Sequence, residues 1–135
     1  MNNPEYVLYT DGGSRGNPGK SAIGFVVFKN NEEVFRYNKY IGITTNNVAE
    51  YTALIYALTY LTKNQIFSAT CYLDSELVVK QLNGVYKIKN DNISILADKV
   101  FILVKQFKNI SFNHVLRDKN KIADSLVNKA LDEVN

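Results

Sequence analysis

Apolar positions along this chain follow two rhythms, and the switches between them outline the fold. Residues 5–10 form a short apolar run rich in β formers and predict a first strand. Asp11-Gly12-Gly13-Ser14-Arg15-Gly16-Asn17-Pro18-Gly19 then has the composition of a dense turn. Apolar runs at about 21–29 and 33–41, with Asn30-Asn31 between them, predict a hairpin and so an antiparallel meander of three strands. Over 46–62 the period becomes helical, placing Ala53, Leu54, Ala57, Leu58 and Leu61 on one face. A buried-type strand at 69–73 ends at Asp74, and a short helix at about 75–83 stops at Asn83-Gly84. Ile93, Leu96, Ala97, Val100, Val104 and Phe107 mark another amphipathic helix, followed by a strand at about 110–116 and a helix at about 120–133. Strands giving way to alternating helix and strand predict an α/β fold, a mixed sheet covered by helices.

Composition narrows the class without naming a function. At 135 residues the chain fits one domain, 1–135, large enough to bury a core. No apolar run approaches the roughly 20 residues that span a bilayer, and Met1-Asn2-Asn3-Pro4-Glu5 lacks the regions of a signal peptide. Cys71 is the single cysteine, so no internal disulfide can form and a reducing cytoplasm is the expected compartment. The net charge of +3 suits a nucleic-acid partner but is shared by many small enzymes, which leaves the partner open.

Chemistry enters with four carboxylates. Asp11 and Asp74 each follow an apolar strand, at the end where open α/β sheets place ligand sites. Each alone also reads as a turn or helix cap, Asp74 especially, because a helix starts just after it. Stepping back from Leu61 through Leu58 and Leu54 reaches Glu50, which falls on the sheet-facing stripe, unless the first turn overhangs the sheet and Glu50 meets water. Asp124 lies beside the stripe Ala123, Val127, Ala130 and Val134, where the alternative is a favourable charge in a first helical turn. Four converging carboxylates repel one another, and a hard divalent cation with oxygen ligands relieves that. Two Mg2+ ions about 3.5–4 Å apart would suit in-line phosphoryl displacement better than glycoside or acyl chemistry.

Two further segments have competing readings. Gly19-Lys20-Ser21 looks like the end of a phosphate-binding P-loop, but Ser14 stands where that motif needs Gly and a strand follows instead of a helix. Gly12 and Gly13 either let the backbone approach a substrate sugar or serve a plain turn. Asn46 or Asn47 would cap the helix that carries Glu50, and such a helix N-terminus also binds phosphate.

Tyr9-Thr10-Asp11-Gly12-Gly13-Ser14, Thr45-Asn46-Asn47-Val48-Ala49-Glu50-Tyr51 and Leu73-Asp74-Ser75 resemble the motifs of type 1 ribonuclease H. The tail from His114 through Arg117, Asn120, Ala123 and Asp124 to Asn128 is similar to the end of its short, single-domain branch. The resemblance spans nearly the whole chain in the family's order. It implies a five-stranded mixed sheet with helices on both faces. It also implies Mg2+- or Mn2+-dependent cleavage of the RNA strand of an RNA–DNA hybrid, leaving 5′-phosphate and 3′-hydroxyl ends. By that resemblance Asp11 bridges two metals, Asp124 completes one site, and Glu50 and Asp74 the other. Thr45 and Asn47 then contact DNA phosphate, Asn46 the minor groove, and Gly12, Gly13 and Ser75 the substrate. The implied protein is a monomer with no obligate protein partner.

Two departures from the family pattern stand out. Arg117 occupies the place of a loop histidine found in many relatives, where it either contacts the scissile phosphate or is a solvated charge. The lone His114 is expected to pack on the final strand. The basic protrusion of some relatives is absent between Gly84 and Asp91; Lys80, Lys87 and Lys89, Lys87 foremost, either replace it through phosphate contacts or form a plain solvated face. The competing functions are a catalytically silent binding module, which would not need four clustered charges, an integrase- or exonuclease-like relative acting on DNA, and a small-molecule phosphatase.

Overall fold

A computed structural model describes residues 3–134; Met1 and Asn2, within the amino-terminal segment read for a signal peptide, and Asn135 lie outside the described residues. Five strands make one sheet: β1 (Tyr6–Gly16), β2 (Gly19–Lys29), β3 (Glu32–Thr44), β4 (Ser68–Leu73) and β5 (Asn109–His114). Their order is β3-β2-β1-β4-β5. β1 pairs antiparallel with β2 and parallel with β4, so the sheet is mixed and β1 is its spine.

The strand and helix boundaries correct several expectations. Asp11 to Gly16 are strand rather than turn, paired with β2 down to Gly16↔Gly19. Two adjacent glycines weaken a strand's intrinsic preference, but continuous pairing with β2 supplies the ladder bonds that override it. Gly19-Lys20-Ser21 opens β2, in keeping with the rejection of a P-loop. β3 runs on to Thr44, and β5 ends at His114 rather than 116.

The helices are α1 (Asn46–Lys63), α2 (Glu76–Leu82), α3 (Asp91–Val104) and α4 (Lys121–Asp132), with a 3-10 turn at Arg117–Lys119. α1 packs on one face of the sheet with α3 against it and α2 beside it on β4 and β5, and α4 packs alone on the other. The larger core joins Leu8, Phe25 and Leu73 of the sheet to Leu54, Leu58 and Leu61 of α1 and Val100 of α3. Each such side chain contributes about 1.5–3 kcal/mol by leaving water, so this layer holds α1 firmly against β1. The smaller core sets Val127, Ala130 and Leu131 of α4 on Ala22 of β2.

Both helices approach the sheet at glycines. A Cβ on Gly12 would overlap the carbonyl of Ala49 in α1. One on Gly24 would stand 2.8 Å from the Ala123 carbonyl oxygen and 2.8 Å from Leu126 Cβ in α4. These close approaches carry the acidic positions of α1 and α4 down onto the strands.

Candidate active site

Parallel pairing of β1 with β4 ends at Thr10↔Leu73, and the next residues are Asp11 and Asp74. The chain leaves the sheet after Asp74, because Ser75 caps α2 by accepting from Val78 N at 3.3 Å. Asp74 is therefore not the cap, and its carboxylate is left for the site. Glu50 reaches the same point from α1 and is buried rather than overhanging in water. Its Oε1 accepts from Gly12 N–H at 3.2 Å, a bond that the missing Gly12 side chain makes possible. Carboxylate oxygens of Asp11, Glu50 and Asp74 all lie within 4.8 Å of one another.

Asp124 sits beside this trio on the first turn of α4. Asn128 Nδ2 lies 3.4 Å from its Oδ2 and Arg117 Nη2 lies 3.4 Å from its Oδ1. Its charge acts on both Asp11 and Asp74.

Burial and mutual repulsion reshape the acidities. Asp11 is pushed up to about 8, first by burial and then by the neighbouring charge of Asp74. Burial, then Asp11, holds Glu50 well above the ordinary carboxylate range. Asp74 is raised by burial, against which the Asn120 amide works. Such a cluster binds protons when alone and releases them to a cation that can replace them.

The residues present fit divalent cations. Glu50 Oε2 is a buried carboxylate oxygen with no hydrogen-bond partner. The donor set is all oxygen, the choice of hard ions such as Mg2+. Among the described residues no Lys lines the cleft, and Arg117 hydrogen-bonds only the outermost carboxylate while its charge also acts on Asp74.

The cluster forms the floor of an open cleft of about 560 Å3. Gly12, Gly13, Asn46, Asn47, Ser75 and Arg117 line it, whereas Thr45 is not part of the lining. The cap of α1 is Thr45, whose Oγ1 accepts from Val48 N at 3.3 Å, and not Asn46 or Asn47. Asn46 instead fastens the helix to the β1–β2 hairpin: its Oδ1 accepts from Ser14 N at 2.8 Å, and its own N–H donates to Asn17 Oδ1 at 3.0 Å. That leaves the Asn46 Nδ2 and the Asn47 amide at the cleft edge.

Other expectations fall outside the cleft. Lys87 is exposed in the loop between α2 and α3, away from the cleft lining. Lys80 is engaged with Glu76 and Tyr86, at 3.4 and 3.3 Å. His114 is on the final strand as expected, but it is exposed rather than packed, because β5 ends there at the sheet edge.

One residue of the site stood in the tail motif without a role of its own. Asn120, just before α4, is buried; its Nδ2 donates to the Thr10 carbonyl at 2.8 Å and lies 3.4 Å from Asp74 Oδ2. An Asn before a helix reads as a cap, yet its side chain makes no capping bond here. Its four-residue spacing from Asp124 was the available signal.

This fold and acidic floor define a class, and comparison gives it a name. Residues 9–130 match the family described as "Reverse transcriptase-like". The chain is 37% identical to "Ribonuclease HI" of Halobacterium salinarum over 93% of its length, covering 63% of that protein. It is 41% identical to "Bifunctional protein Rv2228c" of Mycobacterium tuberculosis over 93% of its length, and spans about a third (35%) of that relative. The solved RNase H1 of Halobacterium salinarum superposes with a TM-score of 0.93 at 37% identity, covering 96% of this chain and 99% of that one. LC11-RNase H1, solved in complex with an RNA/DNA hybrid, superposes with a TM-score of 0.91 at 40% identity, covering 96% and 98%. The chain belongs to the ribonuclease H family, in its short type 1 form. Among the described residues no helix is long and apolar enough to cross a membrane.

Proposed function

We propose that this chain is an endonuclease that hydrolyses the RNA strand of RNA–DNA hybrids and leaves 5′-phosphate and 3′-hydroxyl ends. The carrying observation is the convergence of the Asp11, Glu50 and Asp74 carboxylates within 4.8 Å, with Asp124 beside them, on the floor of an open cleft. The hybrid bound by the relative LC11-RNase H1 supports the substrate. Two Mg2+ ions, or Mn2+ in their place, would activate a water and neutralise charge on the leaving oxygen.

Asp11, whose carboxylate interacts with Glu50, Asp74 and Asp124, would hold both ions. Asn120 keeps Asp74 turned toward the cluster, and Asn128 does the same for Asp124. Thr45, Asn46 and Asn47, at the N-terminal end of α1, would hold backbone phosphate, since the helix dipole and free amide donors favour an anion there. Selection of RNA rests on 2′-hydroxyl contacts to Glu50 and to the backbone of Gly12 and Gly13, with Ser75 at the opposite lip. Arg117, always charged, would hold the scissile phosphate or its product and cannot itself give up or take a proton. Lys87 would meet duplex phosphate beyond the cleft. The protein would act as a cytoplasmic monomer without an obligate protein partner.

The test is cleavage of strand-labelled RNA–DNA, RNA–RNA and DNA–DNA duplexes with Mg2+ or Mn2+. Cutting confined to the RNA of the hybrid is expected. Absence of hybrid cleavage with either metal overturns the proposal.

A further inference from the structure

Beyond the acidic floor, two elements run side by side along one wall of the cleft. Residues Asp11, Gly13 and Arg15 alternate onto the same face of β1, four residues spanning about 13 Å. Asp124, Asn128 and Asp132 recur every four residues along α4, eight residues spanning about 12 Å. The two stripes run alongside each other and meet at both ends. Asp11 and Asp124 share the carboxylate cluster, a Cβ on Gly13 would stand 3.6 Å from Val127 of α4, and Arg15 Nη2 lies 2.7 Å from Asp132 Oδ1. Among the described residues the cations lining the cleft are Arg15 and Arg117, and Arg117 pairs with Asp124 at the cluster itself. Arg15 therefore brings positive charge to the far end of the wall, about 12–13 Å from the carboxylates.

The geometry points to Arg15 as a phosphate-gripping residue for the bound duplex, holding a backbone phosphate several nucleotides from the cut. This rests on the nuclease reading above and assigns the grip that the exposed Lys87 does not bring to the cleft. The Asp132 pair keeps the guanidinium extended along the wall. With its side chains 48% and 66% exposed, that pair contributes little to stability, so a phosphate can share or replace it. A guanidinium has five donors in a planar fork, and one carboxylate cannot occupy them all.

The experiment is steady-state cleavage of an RNA–DNA hybrid with Mg2+ across a KCl series, comparing the unaltered protein with Arg15→Ala, Arg15→Lys and Asp132→Asn. Arg15→Ala is expected to raise KM about three- to tenfold, the effect of losing one charged contact. It is also expected to flatten the dependence of log kcat/KM on log salt by about 0.9, one phosphate's share. Arg15→Lys is expected to restore the salt dependence, and Asp132→Asn to leave KM no higher than that of the unaltered protein. If Arg15 only clamps α4, Asp132→Asn will match Arg15→Ala in both KM and thermal stability, and the inference is overturned. An Arg15→Ala variant with unchanged KM and salt dependence also overturns it. Failure of the unaltered protein to cut the hybrid would instead overturn the nuclease reading.

Discussion

Asp11 and Asp74 stand side by side because Thr10 and Leu73 are the last Cα partners of the parallel β1–β4 pair. Below that point the two strands share ladder bonds and bury apolar side chains. Above it β4 turns away into α2, and two carboxylates face each other across the gap, with Glu50 delivered to the same place by α1.

That crowding makes the metal-free protein sensitive to alkali. In the unfolded chain Asp11 loses its proton near 3.8, whereas in the fold it keeps it to about 8. Between those values the native state binds more protons than the unfolded one, so stability falls as pH rises from about 4 to 8. Thermal melts in EDTA should show a lower Tm at pH 8 than at pH 5, and Asp11→Asn should shrink the difference. Added Mg2+ should recover the loss at pH 8, since a ligand bound to the native state alone stabilises it. A melt equally stable at both pH values would contradict the cluster's burial.

Adjacent glycines should respond very differently to alanine. Gly12→Ala drives a methyl into the Ala49 carbonyl and pushes α1, with Glu50, off the sheet. Urea unfolding should register a loss of about 3 kcal/mol, the upper end of what overpacking a core usually costs, because the clash is with backbone. Gly13→Ala meets Val127 Cγ1 at 3.6 Å, an ordinary contact, and should cost less than about 1 kcal/mol. Equal effects at the two positions would refute the close packing of α1 on β1.

Asn120→Ala should weaken both the fold and the site. It strips the Thr10 carbonyl of its donor and frees Asp74 to turn. A buried acceptor left unpaired costs about 1–3 kcal/mol, measurable by urea unfolding. Mg2+ affinity by calorimetry should fall as well, and an unchanged affinity would reduce Asn120 to a purely structural tie.

Arg117→Ala tests whether the guanidinium over Asp124 takes part in turnover. Hybrid cleavage should slow about tenfold or more if it steadies phosphate. Rates equal to those of the unaltered protein would remove its role.

Much of this architecture was legible in the sequence because helical and strand periods are set by burial. The stripe of Ala53, Leu54, Ala57, Leu58 and Leu61 located α1 and, by extension, the buried Glu50. The continuation of β1 through Gly12 and Gly13 was not legible. Glycine signals a turn locally, and only the approach of Ala49, distant in sequence, explains why it stands in a strand. Thr45 was passed over as the α1 cap for the two asparagines after it, since all three residue types cap well. The role of Asn120 was missed for the converse reason: a good capping residue spends its side chain on a strand and a carboxylate instead. Arg15 lay inside a supposed turn, where alternation along a strand could not be applied.

The most direct measurement of the central claim is a Mg2+ titration of hybrid cleavage, with product ends mapped, for the unaltered protein and for Asp11→Asn and Glu50→Gln. The predicted result is RNA-strand cleavage that appears with Mg2+, vanishes in EDTA, is abolished in both variants, and leaves 5′-phosphate and 3′-hydroxyl ends. Cleavage that persists in EDTA or survives loss of Asp11 would contradict the account.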